Sequence, residues 1–245
     1  MVTVLQVIAL LAFAWCIVFC LRHFLRLVKL GKVKDLSQKS GNVAKAVVYS
    51  NTAAMLPNKK ESAYKHLPTY TAGIIFHLGS FLSLLLFVPL FSTKTWLWFS
   101  LHWWLVVCMA CLLLMSSSCG FFLFFKRLFS KKLRPISNFD DYFSESIVTL
   151  FQLFSFALLL PFVTELFADI IIEEVTSNYF DFTLYGILPN EYFTLATVYG
   201  YYITASLLFL YLPFGKLKHV VYFFAARYHL GFFYGWRNSW PPSKK

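Results

Sequence analysis

Five long stretches of the chain are almost entirely apolar, and shorter polar segments separate them. Each stretch is at least as long as the roughly 20 residues that a helix needs to cross the hydrocarbon core of a bilayer. The stretches cover about residues 3–25, 69–91, 96–125, 146–172 and 193–224. We expect the helix of the last stretch to continue past Pro213. The pattern predicts an all-α integral membrane protein, a five-transmembrane-helix bundle that forms one membrane domain over residues 1–245.

The first apolar stretch lies where a signal peptide would, but its flanks differ from those of a signal peptide. No positive charge precedes the apolar run, and no small-residue cleavage site follows it. Basic residues follow instead, from Arg22 to Lys34. We therefore expect a retained first helix. The polar segment 35–68 is then a loop, long enough to carry a short surface helix.

Composition and charge agree with this prediction and set an orientation. Only 13% of the residues are charged, against about 25% in soluble domains. Of the 22 Lys and Arg residues, only Lys94 lies outside the segments 22–68, 126–134 and 216–245. Because basic loops stay in the cytoplasm, all three segments are predicted to be cytoplasmic. The N-terminus is then outside and the C-terminus is cytoplasmic, in a multi-pass protein of the cell inner membrane.

The net charge of +11 is therefore explained by membrane topology. A nucleic-acid partner is not expected, because the chain lacks a soluble basic domain. The chain shows no nucleotide-binding loop, no Ser/His/Asp signature and no carboxylates at metal-binding spacing. Its five cysteines lie in apolar runs, and Cys108-x-x-Cys111 lacks the second pair of a metal site. Whether the chain is itself an enzyme stays open.

Two histidines, His77 and His219, are the strongest candidates for a functional site. His77 is about eight residues into the second stretch from its cytoplasmic side, and His219 lies just past the apolar core of the fifth, on the same side. An ionisable residue inside a span suggests a functional site. One imidazole from each of two helices is what a b-type haem needs as axial iron ligands. Gly73 lets a flat ring approach the backbone, and Arg227 is a candidate partner of the haem propionates.

The other histidines have simpler explanations. His23, His66 and His229 are expected to lie at the membrane interface. His102 belongs to a tryptophan-rich segment, which is typical of an interface, but it is also a candidate for hydrogen bonding to a quinone. Tyr201 is a second candidate for that quinone site.

Two segments carry a resemblance to a known family. Ile-Ile-Phe-His-Leu-Gly (74–79) and Leu-Pro-Phe-Gly-Lys-Leu-Lys-His (212–219) resemble the haem-binding segments of the respiratory nitrate reductase gamma-subunit family. The tail at 226–237 is similar to the branch that contains the membrane cytochromes of heterodisulfide-reductase-like and sulfite-reduction-associated complexes. The resemblance implies a membrane cytochrome b of a respiratory chain. Such a subunit exchanges electrons between the quinone pool and a cytoplasmic iron–sulfur partner, within a hetero-oligomeric oxidoreductase complex.

The family pattern also implies a second haem, but its ligand positions are not histidines here. They correspond to Phe87 and Tyr201, so we expect one haem b, held by His77 and His219. Two alternatives remain at this point. In the first alternative to the cytochrome, the chain is a haem-less membrane anchor of such a complex. In the second, it is a transporter-like membrane protein whose histidines line a polar pathway.

Overall fold

The computed structural model describes residues 2–31, 34–56, 66–88, 102–175 and 191–240. Every regular element within them is helical. The α-helices are α1 (Val2–Lys29), α2 (Val43–Asn51), α3 (Leu67–Phe87), α4 (Trp103–Phe129), α5 (Phe139–Val175), α6 (Glu191–Tyr211) and α7 (His219–Trp236). Short 3₁₀ turns cover Ala53–Met55, Arg134–Ile136 and Lys216–Lys218.

Four of these helices are long and apolar enough to cross a membrane: α1, α3, α4 and the Phe139–Pro161 part of α5. The count rises to five if α6 and the helix after it are one bent span. The all-helical class is thus confirmed, and the helices are compatible with a multi-pass membrane protein. Residues 89–101, where the sequence places a turn between the second and third spans, lie outside the described residues.

The fifth apolar stretch does not form one continuous helix, so the expectation that its helix continues past Pro213 is wrong. α6 ends at Tyr211, and α7 begins at His219 after a 3₁₀ turn. Proline lacks the N–H of the helical ladder. Gly215 follows two residues after Pro213, and the Tyr211 ring occupies the space where a Cβ on Gly215 would lie. The chain therefore leaves the helix at this point, and His219 opens a new one.

Polar side chains set the starts of two helices. The Asn42 side chain accepts a hydrogen bond from the Lys45 N–H and caps α2, which confirms a short helix inside the 35–68 segment. Asn138 and Asp141 cap α5 reciprocally, each side chain accepting from the other's backbone N–H at 3.0–3.1 Å.

The chain divides into two compact units, where the sequence suggests one membrane domain. The first unit is Met1–Ala12 with Thr71–Phe209, and the second is Phe13–Tyr70 with Leu210–Lys245. In the first unit, α4 packs along α5. In the second unit, α2 packs on α7. The two proposed haem ligands belong to different units: His77 to the first and His219 to the second.

Candidate functional site

A hydrogen-bonded polar network lies in the core of the first unit, next to His77 in sequence. The amide nitrogen of Gln152 on α5 donates to the Phe76 carbonyl at 2.9 Å and to the Ser80 hydroxyl at 2.7 Å. The Gln152 oxygen accepts from the Ser116 hydroxyl of α4 at 2.9 Å. Gln152 and Ser116 are both 0% exposed. We call these four residues the polar core network; it ties α3, α4 and α5 together.

The helices around this network approach closely because small residues lie at the contact. A Cβ added to Gly79 would overlap the Ser116 side chain, and one added to Gly120 would overlap Thr149. Small residues at such contacts let membrane helices pack backbone to backbone. The network therefore sits in a tight interface that leaves α3 little freedom around residues 76–80.

His77 lies on the opposite, exposed side of α3. Its neighbours on that side, Ile74, Leu78 and Phe81, are 41–52% exposed, and its ring contacts the Phe76 ring edge-on at 5.9 Å. Gly73 lies one turn earlier on the same side, and a Cβ there would meet no atom within 4 Å. The structure thus places His77 and Gly73 on one open helix face, with room beside the glycine for a flat group.

The positions that correspond to a second haem are filled by packed rings. Phe87 on α3 and Tyr201 on α6 lie 6.3 Å apart between ring centroids. Phe151 stacks on Tyr201 at 5.4 Å, and Phe209 contacts Phe87 at 4.6 Å. All four side chains are 0–1% exposed. We call them the aromatic core cluster.

The two residues proposed for quinone binding are in different surroundings. Tyr201 is enclosed by the aromatic core cluster, and within the described residues its hydroxyl has no hydrogen-bond partner. A quinone would reach it only if helices of the first unit separated. His102 precedes α4, where its carbonyl accepts from the Leu105 N–H at 2.9 Å. It is half-buried.

His219 opens α7 in the second unit and is exposed. Its Nδ1 lies 2.8 Å from the Lys216 carbonyl oxygen. Since a carbonyl oxygen only accepts, Nδ1 must carry the proton, and the lone pair of the neutral ring is then on Nε2. Metal-ligating histidines are held in the same way, with one ring N–H donated to a carbonyl or carboxylate.

His23 has a larger role than an interfacial side chain. Its Nε2 is 3.0 Å from the Pro213 carbonyl, and its Nδ1 is 2.8 Å from the Tyr222 hydroxyl. The carbonyl requires the proton on Nε2, so Tyr222 donates to Nδ1. His23 therefore links α1 to the break before α7 and to α7 itself. In the sequence, a histidine near the end of the first apolar stretch is only a weak signal for this role.

Arg227, the expected propionate partner, has a structural contact in the second unit. Its Nε donates to the Ser50 carbonyl at 2.8 Å, with Nη2 bonded to the same oxygen, and the Ser50 hydroxyl donates back to the Arg227 carbonyl at 2.8 Å. Arg227 thus fastens α2 to α7. A role with haem propionates stays a prediction.

α2 and α7 pack at backbone distance. A Cβ on Gly231 would lie 2.6 Å from the Val47 Cα, and one on Gly235 2.9 Å from the Val43 Cα. Beyond the helix end, Asp35 accepts from the Arg237 Nε at 3.1 Å. The Gly-x-x-x-Gly spacing of Gly231 and Gly235 is a sequence signal for such close packing.

Comparison with known proteins identifies no relative: no family model, no curated protein and no solved structure matches the chain. Among the described residues, no group of three or more His, Cys, Asp or Glu side chains is arranged to hold a metal ion. A haem is held by only two protein ligands, so the absence of larger groups from the described residues does not bear on His77 and His219 as haem ligands.

Proposed function

We propose that the protein is a multi-pass inner-membrane cytochrome subunit that carries one haem b, with His77 and His219 as its axial ligands. In this role it passes electrons between the quinone pool and a cytoplasmic iron–sulfur partner of a hetero-oligomeric complex. The haem would supply the one-electron chemistry, and the protein would supply ligation and the surfaces for its partners.

The observation that carries the proposal is the state of the His219 ring. Its Nδ1–H is donated to the Lys216 carbonyl, which orients the ring and places the lone pair of the neutral ring on Nε2, the atom that would ligate the iron. The break after Tyr211 creates this arrangement, because His219 then lies at the start of a helix on an exposed surface.

The face of α3 that bears His77 fits the same role. Gly73 leaves open space one turn away, and a haem lies flat against a helix most easily where a side chain is missing. On the other side of α3, Gln152 and Ser116 both bond the Phe76 carbonyl, at 2.9 and 3.2 Å. These bonds fix the backbone immediately before His77, so the network would position the ligand.

The aromatic core cluster favours one haem over two. Phe87 and Tyr201 are packed against each other and against Phe151 and Phe209, with 0–1% of each side chain exposed. A porphyrin at these positions would require all four rings to move. This supports the expectation of a single haem.

Charge supports a soluble acidic partner on the second unit. In the sequence this unit has sixteen Lys and Arg residues against two Asp and Glu, whereas the first unit has six against nine. A unit with an excess of about fourteen positive charges attracts an acidic protein over distances of about 10 Å. An iron–sulfur electron carrier with acidic residues around its cluster would fit such a unit.

The test is a reduced-minus-oxidised absorption spectrum with haem quantitation on the purified chain. We expect one b haem per chain in the wild type and its loss in His77→Ala and in His219→Ala. The control is His66→Ala, because His66 is an exposed loop histidine and should not affect haem content. Gly73→Leu should reduce haem content while leaving the protein folded.

Other outcomes would discriminate among the alternatives. Absence of haem from wild-type protein expressed with sufficient iron and haem precursor would contradict the proposal and favour the membrane-anchor role. Two haems per chain would mean that the aromatic core cluster opens or that an unassigned histidine, such as His102, is a ligand.

A further inference from the structure

A long apolar groove runs between α1 and α7, within the second unit. Its volume is about 520 Å³, and it is open along one side. Phe24 and Val28 of α1 and Phe224 and Ala225 of α7 form much of its wall. Among the described residues that line it, the polar side chains are Tyr228 and His229, and none is a lysine, arginine or carboxylate.

The polar groups lie at one end of the groove. α1 and α7 are joined by the bond between His23 and Tyr222. Gly31 lies eight residues after His23, and His229 lies seven residues after Tyr222. Both also line the groove. At 1.5 Å per helical residue, both lie about 10–12 Å beyond that bond, so the two segments run in the same direction.

The polar end of the groove lies where α1 ends. α1 ends at Lys29, and Gly31, which follows it, adopts a left-handed φ of 78°. Phe24 and Val220 line the apolar end. A ligand with a polar head and an apolar tail would therefore lie with its head beside His229 and its tail towards Phe24.

We propose that this groove binds the quinone, with its ring beside Tyr228 and His229 and its isoprenoid tail along Phe24, Val28 and Phe224. The proposal rests on the proposed function and gives the quinone a site away from Tyr201. The described part of the lining favours a quinone over a phospholipid, because it offers no cation to a phosphate, whereas a neutral quinone ring needs only hydrogen bonds. A phenol and an imidazole supply them.

The experiment uses the full chain in lipid nanodiscs and a photoreactive azido-quinone with a decyl tail, mapped by mass spectrometry. We expect labelling within residues 24–31 and 220–229, and at least about a fivefold decrease when an unreactive decyl quinone competes. Ala225→Trp should abolish the labelling, because it fills the groove. The matched control is Ala226→Trp, since Ala226 is exposed and does not line the groove.

A second variant and a second probe separate quinone binding from simple lipid contact. His229→Ala keeps the groove wall, so the decyl quinone should compete at least about fivefold less well, while an azido-decyl probe without the quinone ring should label as before. Labelling elsewhere, or equal labelling by the tail-only probe with no competition by quinone, overturns the proposal. Haem content is measured on the same samples. Protein that is labelled but contains no haem would overturn the cytochrome role and support the quinone site. Protein that contains haem but is not labelled would support the cytochrome role and overturn the quinone site.

Discussion

Two glycines on α3 illustrate how differently single residues are used in this chain. A Cβ on Gly79 would overlap Ser116, whereas a Cβ on Gly73 would meet nothing. Gly79→Ala should therefore destabilise the first unit by about 1–3 kcal/mol, the usual cost of overpacking a close contact. Gly73→Ala should leave stability unchanged. Thermal unfolding of the purified variants in one detergent compares them, and equal midpoints would contradict the packing described here.

Gln152 makes a sharper test, because two substitutions should differ. In Gln152→Leu, the Ser80 hydroxyl keeps its bond to the Phe76 carbonyl, and Ser116 can direct its single proton to the same carbonyl, so the loss should be only about 1–2 kcal/mol. Gln152→Glu places an acceptor against that carbonyl and buries a charge or a strained acid. We expect it to cost at least about 1 kcal/mol more than the leucine variant in the same unfolding assay. The opposite order would show that the network is not formed.

Asp35 provides the pH-dependent contact of the second unit. Hydrogen bonds from the backbone N–H and hydroxyl of Ser37, and then from Arg237, lower the pKa of this carboxyl below its ordinary value of 3.8. A lowered pKa means that the contact is fully formed above about pH 4 and is lost as the pH falls through the lower, folded-state value. The measurement is the rate of backbone hydrogen exchange in residues 34–41, in the wild type relative to Asp35→Asn at the same pH. The wild type should exchange more slowly than the variant at pH 6, and this difference should decrease below pH 4. A ratio independent of pH would rule this contact out.

Residues such as Gln152 and His23 show what the sequence could and could not predict. Gln152 is the one amide side chain in the apolar stretch 146–172, and a polar residue in a span is by itself a signal. Its partners, however, are a backbone carbonyl and two serines on other helices, and serines are common in spans. The two histidine segments could be recognised in the sequence. The hydrogen bond between the His219 ring and the Lys216 carbonyl could not, because it depends on the 3₁₀ turn that precedes α7.

At the scale of elements, two prolines in apolar stretches have opposite effects. Pro161 lies inside α5, and the helix continues through it. Pro213 lies where α6 has just ended. Membrane helices tolerate proline when neighbours satisfy the freed carbonyl groups, so proline alone does not predict a break. Near Pro213 a glycine follows, with the Tyr211 ring packed over it. Apolar length thus predicted the spans, and local side-chain packing decided where the last one ends.

The docking of α2 on α7 depends on two glycines and is open to a direct test. Gly231→Leu would collide with the Val47 backbone, so α2 should separate from α7. Residues 43–51 should then exchange backbone hydrogens at least about tenfold faster, with little change in α3–α5, which belong mainly to the first unit. Ala226→Leu, on an exposed face of the same helix, is the control and should exchange as wild type does. Unchanged protection of α2 in Gly231→Leu would mean that the contact contributes little.

At the scale of the whole molecule, the charge distribution predicts an orientation in the membrane. With nearly all basic residues in three segments, we expect those segments to be cytoplasmic and Lys94 to be external. Single cysteines placed at positions 39, 132 and 94 in a cysteine-free variant would be labelled by a membrane-impermeant maleimide on intact cells. Only the cysteine at position 94 should react before lysis, and the other two should react after it. Reaction of the cysteine at position 39 on intact cells would contradict this orientation and indicate the opposite one.

The second unit has a consequence for biosynthesis. Ser50 and Arg227, which bond each other, are 177 residues apart in the chain. At roughly 5–20 residues per second, ribosomes need about 9–35 s to make that interval. Throughout this time α2 has emerged without the helix on which it packs, and its apolar side needs another cover. Insertion machinery or a chaperone would have to shield it, and a nonsense mutation that removed residues 219–237 would leave that side permanently uncovered and the nascent product open to quality-control proteases.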